Sequence, residues 1–200
     1  MSRRLKINVL SVLYMVLALV ELIAQIFLSQ TVPEQTDAQT EAIIVMFVSG
    51  TFFTFVYLIK LMISESSSMK TTNKLFYYIY TGVFIISIIR VFSSLSLHFM
   101  VSDFPITDTI GSLALAGIAY IQRKIHMSIR DDKEMFYSLY SLIMVVLSIV
   151  LIICQIISNR GLEELLLYYN IITYTAFGEN IIFAAILYLY GDAINKGESF

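Results

Sequence analysis

The stretch MFYSLYSLIMVVLSIVLIICQII, residues 135–157, holds 23 consecutive residues without an Asp, Glu, Lys, Arg or His. As an α-helix it measures roughly 35 Å at about 1.5 Å per residue. That exceeds the roughly 30 Å hydrocarbon layer of a bilayer, so the stretch reads as a transmembrane helix. Five further segments follow the same logic with more polar interruptions. They cover residues 7–29, 42–63, 75–97, 104–121 and 165–190. The chain therefore reads as all-α, a polytopic integral membrane protein of about six transmembrane helices in one domain spanning 1–200.

Composition supports this class. Of 200 residues 58% are hydrophobic and only 14% charged, with a mean hydropathy of +0.80. Soluble domains carry about a quarter charged residues. Six spans and their turns leave no room for a separate soluble catalytic or nucleic-acid-binding domain. The N-terminal Met1-Ser2-Arg3-Arg4-Leu5-Lys6 runs into an apolar segment too long for a secretory h-region, so it is expected to be a retained first helix. The single Cys154 gives no intramolecular disulfide.

Charge distribution sets the expected orientation. With the N-terminus cytoplasmic, inner segments hold Arg3, Arg4, Lys6, Lys60, Lys70, Lys74, Arg123, Lys124, Arg130, Lys133 and Lys196, which is 11 of the 13 basic residues. Outer turns hold only Arg160. Short basic loops are retained inside, so both termini are expected in the cytoplasm of a cell membrane, that of a prokaryote. The weak fourth span, with Gly111 and Gly117, gains support because omitting it would move residues 123–133 outside. The outer turns are acidic: Glu34, Asp37, Glu41, Asp103, Asp108, Glu163 and Glu164. Tyrosines cluster near span ends, at 77, 78, 80, 137, 140, 168, 169, 188 and 190, as headgroup-level belts require.

Polar residues inside the spans carry the functional reading. On the first, Ser11, Tyr14, Ala18, Glu21 and Gln25 recur every three or four residues and share one face. On the third, Ser87, Arg90, Ser94 and His98 do the same. The fifth carries Ser148 and Gln155, and the sixth Thr175, Glu179 and Asn180. A charge near the bilayer centre costs at least about 2.5–3.5 kcal/mol, so the three charged residues are expected to face inward and compensate one another. Arg90 would pair with Glu21 or Glu179, leaving one carboxylate protonated, hydrated or matched by a ligand. Replacing Arg90 should then unpair buried carboxylates and reduce folded protein. The triplet Gly178-Glu179-Asn180 is expected to interrupt the sixth span, as in helices that expose backbone groups to substrates.

Other chemistries find no support. His98 and His126 fall on opposite sides of the membrane in this topology, so they form no paired metal site, and no cofactor is expected. Neither GxxxxGK[ST] nor GxGxxG is present, and Cys154 has no histidine partner. The segments SESSSMKTTNK (64–74) and QRKIHMSIRDDK (122–133) read as cytoplasmic loops. The leading expectation is binding or transport of a small solute or proton through an outer-facing polar cavity lined by Glu21, Gln25, Arg90, Glu179 and Asn180. The rival is a non-catalytic regulatory, sensory or immunity protein acting through a protein partner, either a membrane protein partner or a cytoplasmic one. A membrane-embedded enzyme ranks third, because no catalytic constellation can be assembled.

Overall fold

The computed structural model describes residues 2–31, 38–63, 66–101, 105–131, 135–158 and 166–196; side chains at 29–31, 38–50, 66–70, 166 and 194 are left aside. It is all-helical: α1 (Arg3–Thr31), α2 (Ala38–Ile63), α3 (Ser66–Met100), α4 (Ile106–Arg130), α5 (Tyr137–Ser158) and α6 (Leu166–Asn195), with no strand among the described residues. Among the described residues four helices are long and apolar enough to cross a membrane, within Arg3–Leu28, Thr71–Met100, Tyr137–Ser158 and Leu167–Ala193.

The distribution of polarity in α1 explains why. Its exposed positions are Val9, Val12, Val16, Leu19, Val20 and Ile23, while Ser11, Ala18, Glu21 and Ala24 are buried. A helix in water would place Glu21 outward and the valines inward. Here the apolar stripe faces away from the protein, which is stable only against lipid. The same inversion holds in α3, where Ile85, Ile86, Ile89 and Phe92 are exposed and Ser87 and Ser94 buried. The protein is a membrane protein.

The helices pack in a ring of neighbours: α3 along α4, α4 on α5, α5 on α6 and α6 on α1, with α2 against α1 and more lightly against α3. Side-chain ties mark one common end. Arg3 Nη2 meets Asp192 Oδ2 at 2.7 Å, joining the start of α1 to the end of α6. Arg4 donates to the Met62 carbonyl at 3.3 Å, Arg123 to the Tyr77 hydroxyl at 3.2 Å, and Asn195 to the Met135 carbonyl at 2.9 Å. The start of α1, α3 and α5 and the end of α2, α4 and α6 thus meet at what we call the terminal end. The far end holds the opposite extremities.

Helix α4 is polar for its length because lipid touches little of it. Gly111, Ser112, Ala114, Ala116, Ile118 and Ala119 are all buried, and only scattered residues such as Ile110 and Leu113 face outward. Small residues let α4 approach its neighbours closely: a Cβ at Gly117 would lie 2.7 Å from Leu147 Cδ1 of α5.

Several expectations are corrected. Helix α3 begins at Ser66 and not near 75, so most of the polar segment 64–74 is helical. Helix α4 continues to Arg130, taking up the basic segment that follows 121. Both extensions arise because the helices keep packing on each other beyond their apolar parts, as the Arg123–Tyr77 bond shows. Helix α6 is continuous through Gly178-Glu179-Asn180. Gly178 serves close packing, since a Cβ there would stand 2.8 Å from Leu17 Cδ1 of α1. Tyr137 and Tyr190 belong to the core and not to a headgroup belt. The turn residues Pro33, Glu34, Asp37, Asp103, Arg160, Glu163 and Glu164, along with Lys133 and Phe200, lie outside the described residues, as do the side chains of Glu41 and Lys70.

Candidate functional site

The polar residues of the spans segregate into three places. The first lies between α1 and α6. Glu21 is only 4% exposed, and Gln25, one turn later, donates from Nε2 to its Oε1 at 3.0 Å. Glu179 of α6 faces Glu21 and the Tyr14 hydroxyl. Its Oε1 is buried with no hydrogen-bond partner. Among the described residues no basic side chain pairs with either carboxyl. Two adjacent carboxyls shielded from water cannot both be ionised at low cost, so this place suits a shared proton or a bound cation. Asn180 follows on α6, half-buried, and makes no described contact with the pair.

Arg90 is elsewhere. Its Nη2 lies 3.4 Å from Asp108 Oδ1 near the start of α4, not near Glu21 or Glu179. The reason is the packing order: α3 runs along α4, and α1 along α6. Ser94 Oγ donates to the other oxygen, Asp108 Oδ2, at 3.1 Å and contacts Thr109 Oγ1 at 2.8 Å. The Asp108 carboxylate is therefore held by α3 through Ser94, while the Arg90 side chain is 60% exposed.

Arg90 and Asp108 border a cavity of about 400 Å³ at the far end, between α3, α4, α5 and α6. Thr107, Ser112, Gln155, Ser158, Tyr169 and Thr173 supply polar lining, Leu115, Leu151 and Ile172 apolar lining, and Cys154 and Gly111 complete the wall. Ser112 is 3% exposed and its Oγ has no hydrogen-bond partner. That Oγ is itself shut off from the cavity, so Ser112 lines the wall through its other atoms. The volume matches the lower range of small-molecule pockets and equals about a dozen waters at about 30 Å³ each.

The third place, toward the terminal end, centres on His126, which the sequence suggested would sit in a loop. The side chain is fully buried. Its Nδ1 lies 2.7 Å from Asn73 Oδ1, to which Tyr57 also donates at 3.4 Å. The ring stacks on Tyr80 at 5.3 Å and 9°, with Tyr57, Phe76 and Phe183 around it. This knot ties α2, α3, α4 and α6. Its only sequence signal was Phe76, Tyr80 and His126 at helical positions, which charge counting obscured. At the same end, beyond the spans, hydrogen bonding to Asp131 pushes the Arg130 guanidinium above its ordinary value.

Of the five residues expected to form one site, the structure brings Glu21, Gln25 and Glu179 together, sets Arg90 apart on a cavity, and leaves Asn180 in neither group. Asp108, assigned to an outer turn, proves to be the partner of Arg90. Comparison with known proteins finds no family model, no curated relative and no solved structure that matches this chain.

Proposed function

We propose that the protein crosses the membrane six times, with both termini cytoplasmic, and binds or moves a small polar solute through the far-end cavity, which then opens outward. The observation that carries this reading is the 400 Å³ cavity with a charge pair at its border. Orientation rests on charge. Arg3, Arg4, Lys60, Lys74, Arg123, Lys124 and Arg130 lie on helix segments at the terminal end, with Lys196 just past α6, and positive charge favours the cytoplasmic side. In this reading the Glu21–Glu179 pair takes up a proton or a cation, and α6, which borders both places, connects it to the solute.

The test is a thermal-unfolding screen of the purified protein in matched detergent against ions, amino acids, vitamins and nucleosides at several pH values. A ligand of the folded state raises apparent stability. At least one solute should do so in the parent, and Ser112→Leu, which fills the cavity, should remove the response. If no solute stabilises the parent, the weight passes to the regulatory alternative. That alternative draws on the apolar face of α2 at Phe52, Val56, Ile59 and Ile63, which no other helix covers and a membrane partner could. Topology is tested separately by an impermeant thiol reagent on single cysteines placed at the accessible positions 2, 124 and 131 in a Cys154-free background. Strong labelling of positions 124 and 131 in intact cells contradicts the six-span arrangement.

A further inference from the structure

If the far-end cavity binds a solute, as proposed, its charge balance narrows the choice of ligand. Arg90 and Asp108 contribute one positive and one negative charge to the border. A simple anion attracted by Arg90 would meet the Asp108 carboxylate beside it. A simple cation would meet the guanidinium in the same way. A molecule carrying both signs on neighbouring atoms satisfies both groups.

The existing pair is poised to open for such a molecule. It consists of one contact at 3.4 Å, where a strong guanidinium–carboxylate bond is about 2.7–2.9 Å and often bidentate. With Arg90 60% exposed, the pair contributes little to stability. Asp108 is held in place by Ser94, so separation would move the arginine and leave the carboxylate as a fixed anchor. Beyond the charges, Leu115, Leu151 and Ile172 offer an apolar wall.

We infer that the cavity binds a small zwitterion with an apolar body, its carboxylate on Arg90 and its ammonium on Asp108. A free α-amino acid of leucine size has this chemistry and leaves room for several waters in 400 Å³.

The experiment compares leucine, leucine methyl ester and N-acetylleucine, which share one body and differ in charge, by calorimetric titration of the purified parent. Glucose and thymidine serve as uncharged probes. Leucine should bind at least about tenfold more tightly than either derivative, about 1.4 kcal/mol. R90Q should reverse the preference toward the ester and D108N toward the N-acetyl compound, each losing leucine. Equal binding of the three leucine compounds overturns the inference. Binding of glucose or thymidine without leucine overturns it too, but leaves the cavity as a solute site. Binding of none of the five overturns the zwitterion inference, while the broader screen decides the solute reading.

Discussion

Two glycines in comparable helices should respond to alanine in opposite directions. At Gly82, in α3, an added Cβ meets nothing within 4 Å. The change G82A therefore brings only the helix-propensity gain, at most about 1 kcal/mol. At Gly191, in α6, the added Cβ would collide with the Tyr137 ring at three carbons, Cγ, Cδ1 and Cδ2. Tyr137 is 2% exposed and cannot swing into free space. Its hydroxyl donates to Ser128 Oγ of α4 at 3.3 Å, so a retreating ring also gives up that bond. Overpacking costs about 1–3 kcal/mol and the weak hydrogen bond up to about 1 kcal/mol. Set against the same propensity gain, G191A should lose about 1–3 kcal/mol net. For a chain of this length about 1 kcal/mol corresponds to roughly 2–4 °C in Tm. Heating with a fluorogenic maleimide, which reads exposure of the buried Cys154, should show G191A melting several degrees below the parent and G82A at or slightly above it. If G191A melts with or above the parent, the close α5–α6 packing is wrong.

Arg90→Leu should accumulate and melt within about 1 kcal/mol of the parent, because it breaks only an exposed pair with Asp108; loss of folded protein on expression would show that Arg90 compensates buried carboxylates after all. Glu179→Gln should leave stability unchanged or raise it by up to about 1 kcal/mol, since an amide relieves the facing carboxyls and can donate to Glu21; a Tm several degrees lower in matched detergent would reveal a cationic partner. His126→Ala should cost about 3 kcal/mol or more through the cavity it leaves among Tyr57, Phe76, Tyr80 and Phe183. His126→Phe, which keeps the ring and loses the Asn73 bond, should cost only about 1–2 kcal/mol. Equal melting of H126A and the parent would remove the aromatic knot as a source of stability.

The helices were legible because lipid imposes a length and an apolarity that residues 135–157 and 7–29 display openly. Their ends were not. Once two helices pack, a polar segment such as Ser66–Lys74 can stay helical on contacts that hydropathy does not record. Polar periodicity likewise gave the face and height of Glu21, Gln25 and Glu179, and these three do converge. It carried no information on which helix stands beside which. Arg90 was matched to the wrong carboxylates because Asp108, four residues from the expected start of its span, read as a turn residue. His126 was hidden by its company: Arg123, Lys124 and Arg130 mark the segment as aqueous, yet the fourth position of the same helix turns into the core.

On the function proposed above, the close approach of Gly178 to Leu17 would serve α6 as a fulcrum. Along α6, Thr173 in the cavity wall lies roughly 7.5 Å to one side of it and Asp192 roughly 21 Å to the other, at about 1.5 Å per residue. A rigid tilt about that point moves the two in opposite directions with a ratio of about one to three. Widening the cavity by about 1 Å would displace Asp192 by about 3 Å, enough to part a bond to Arg3 that now measures 2.7 Å. On the function proposed above, the ion pair at the terminal end would be the latch of a lever whose short arm reaches the cavity, and spin labels at positions 2 and 196, which leave Arg3 and Asp192 in place, would register its release.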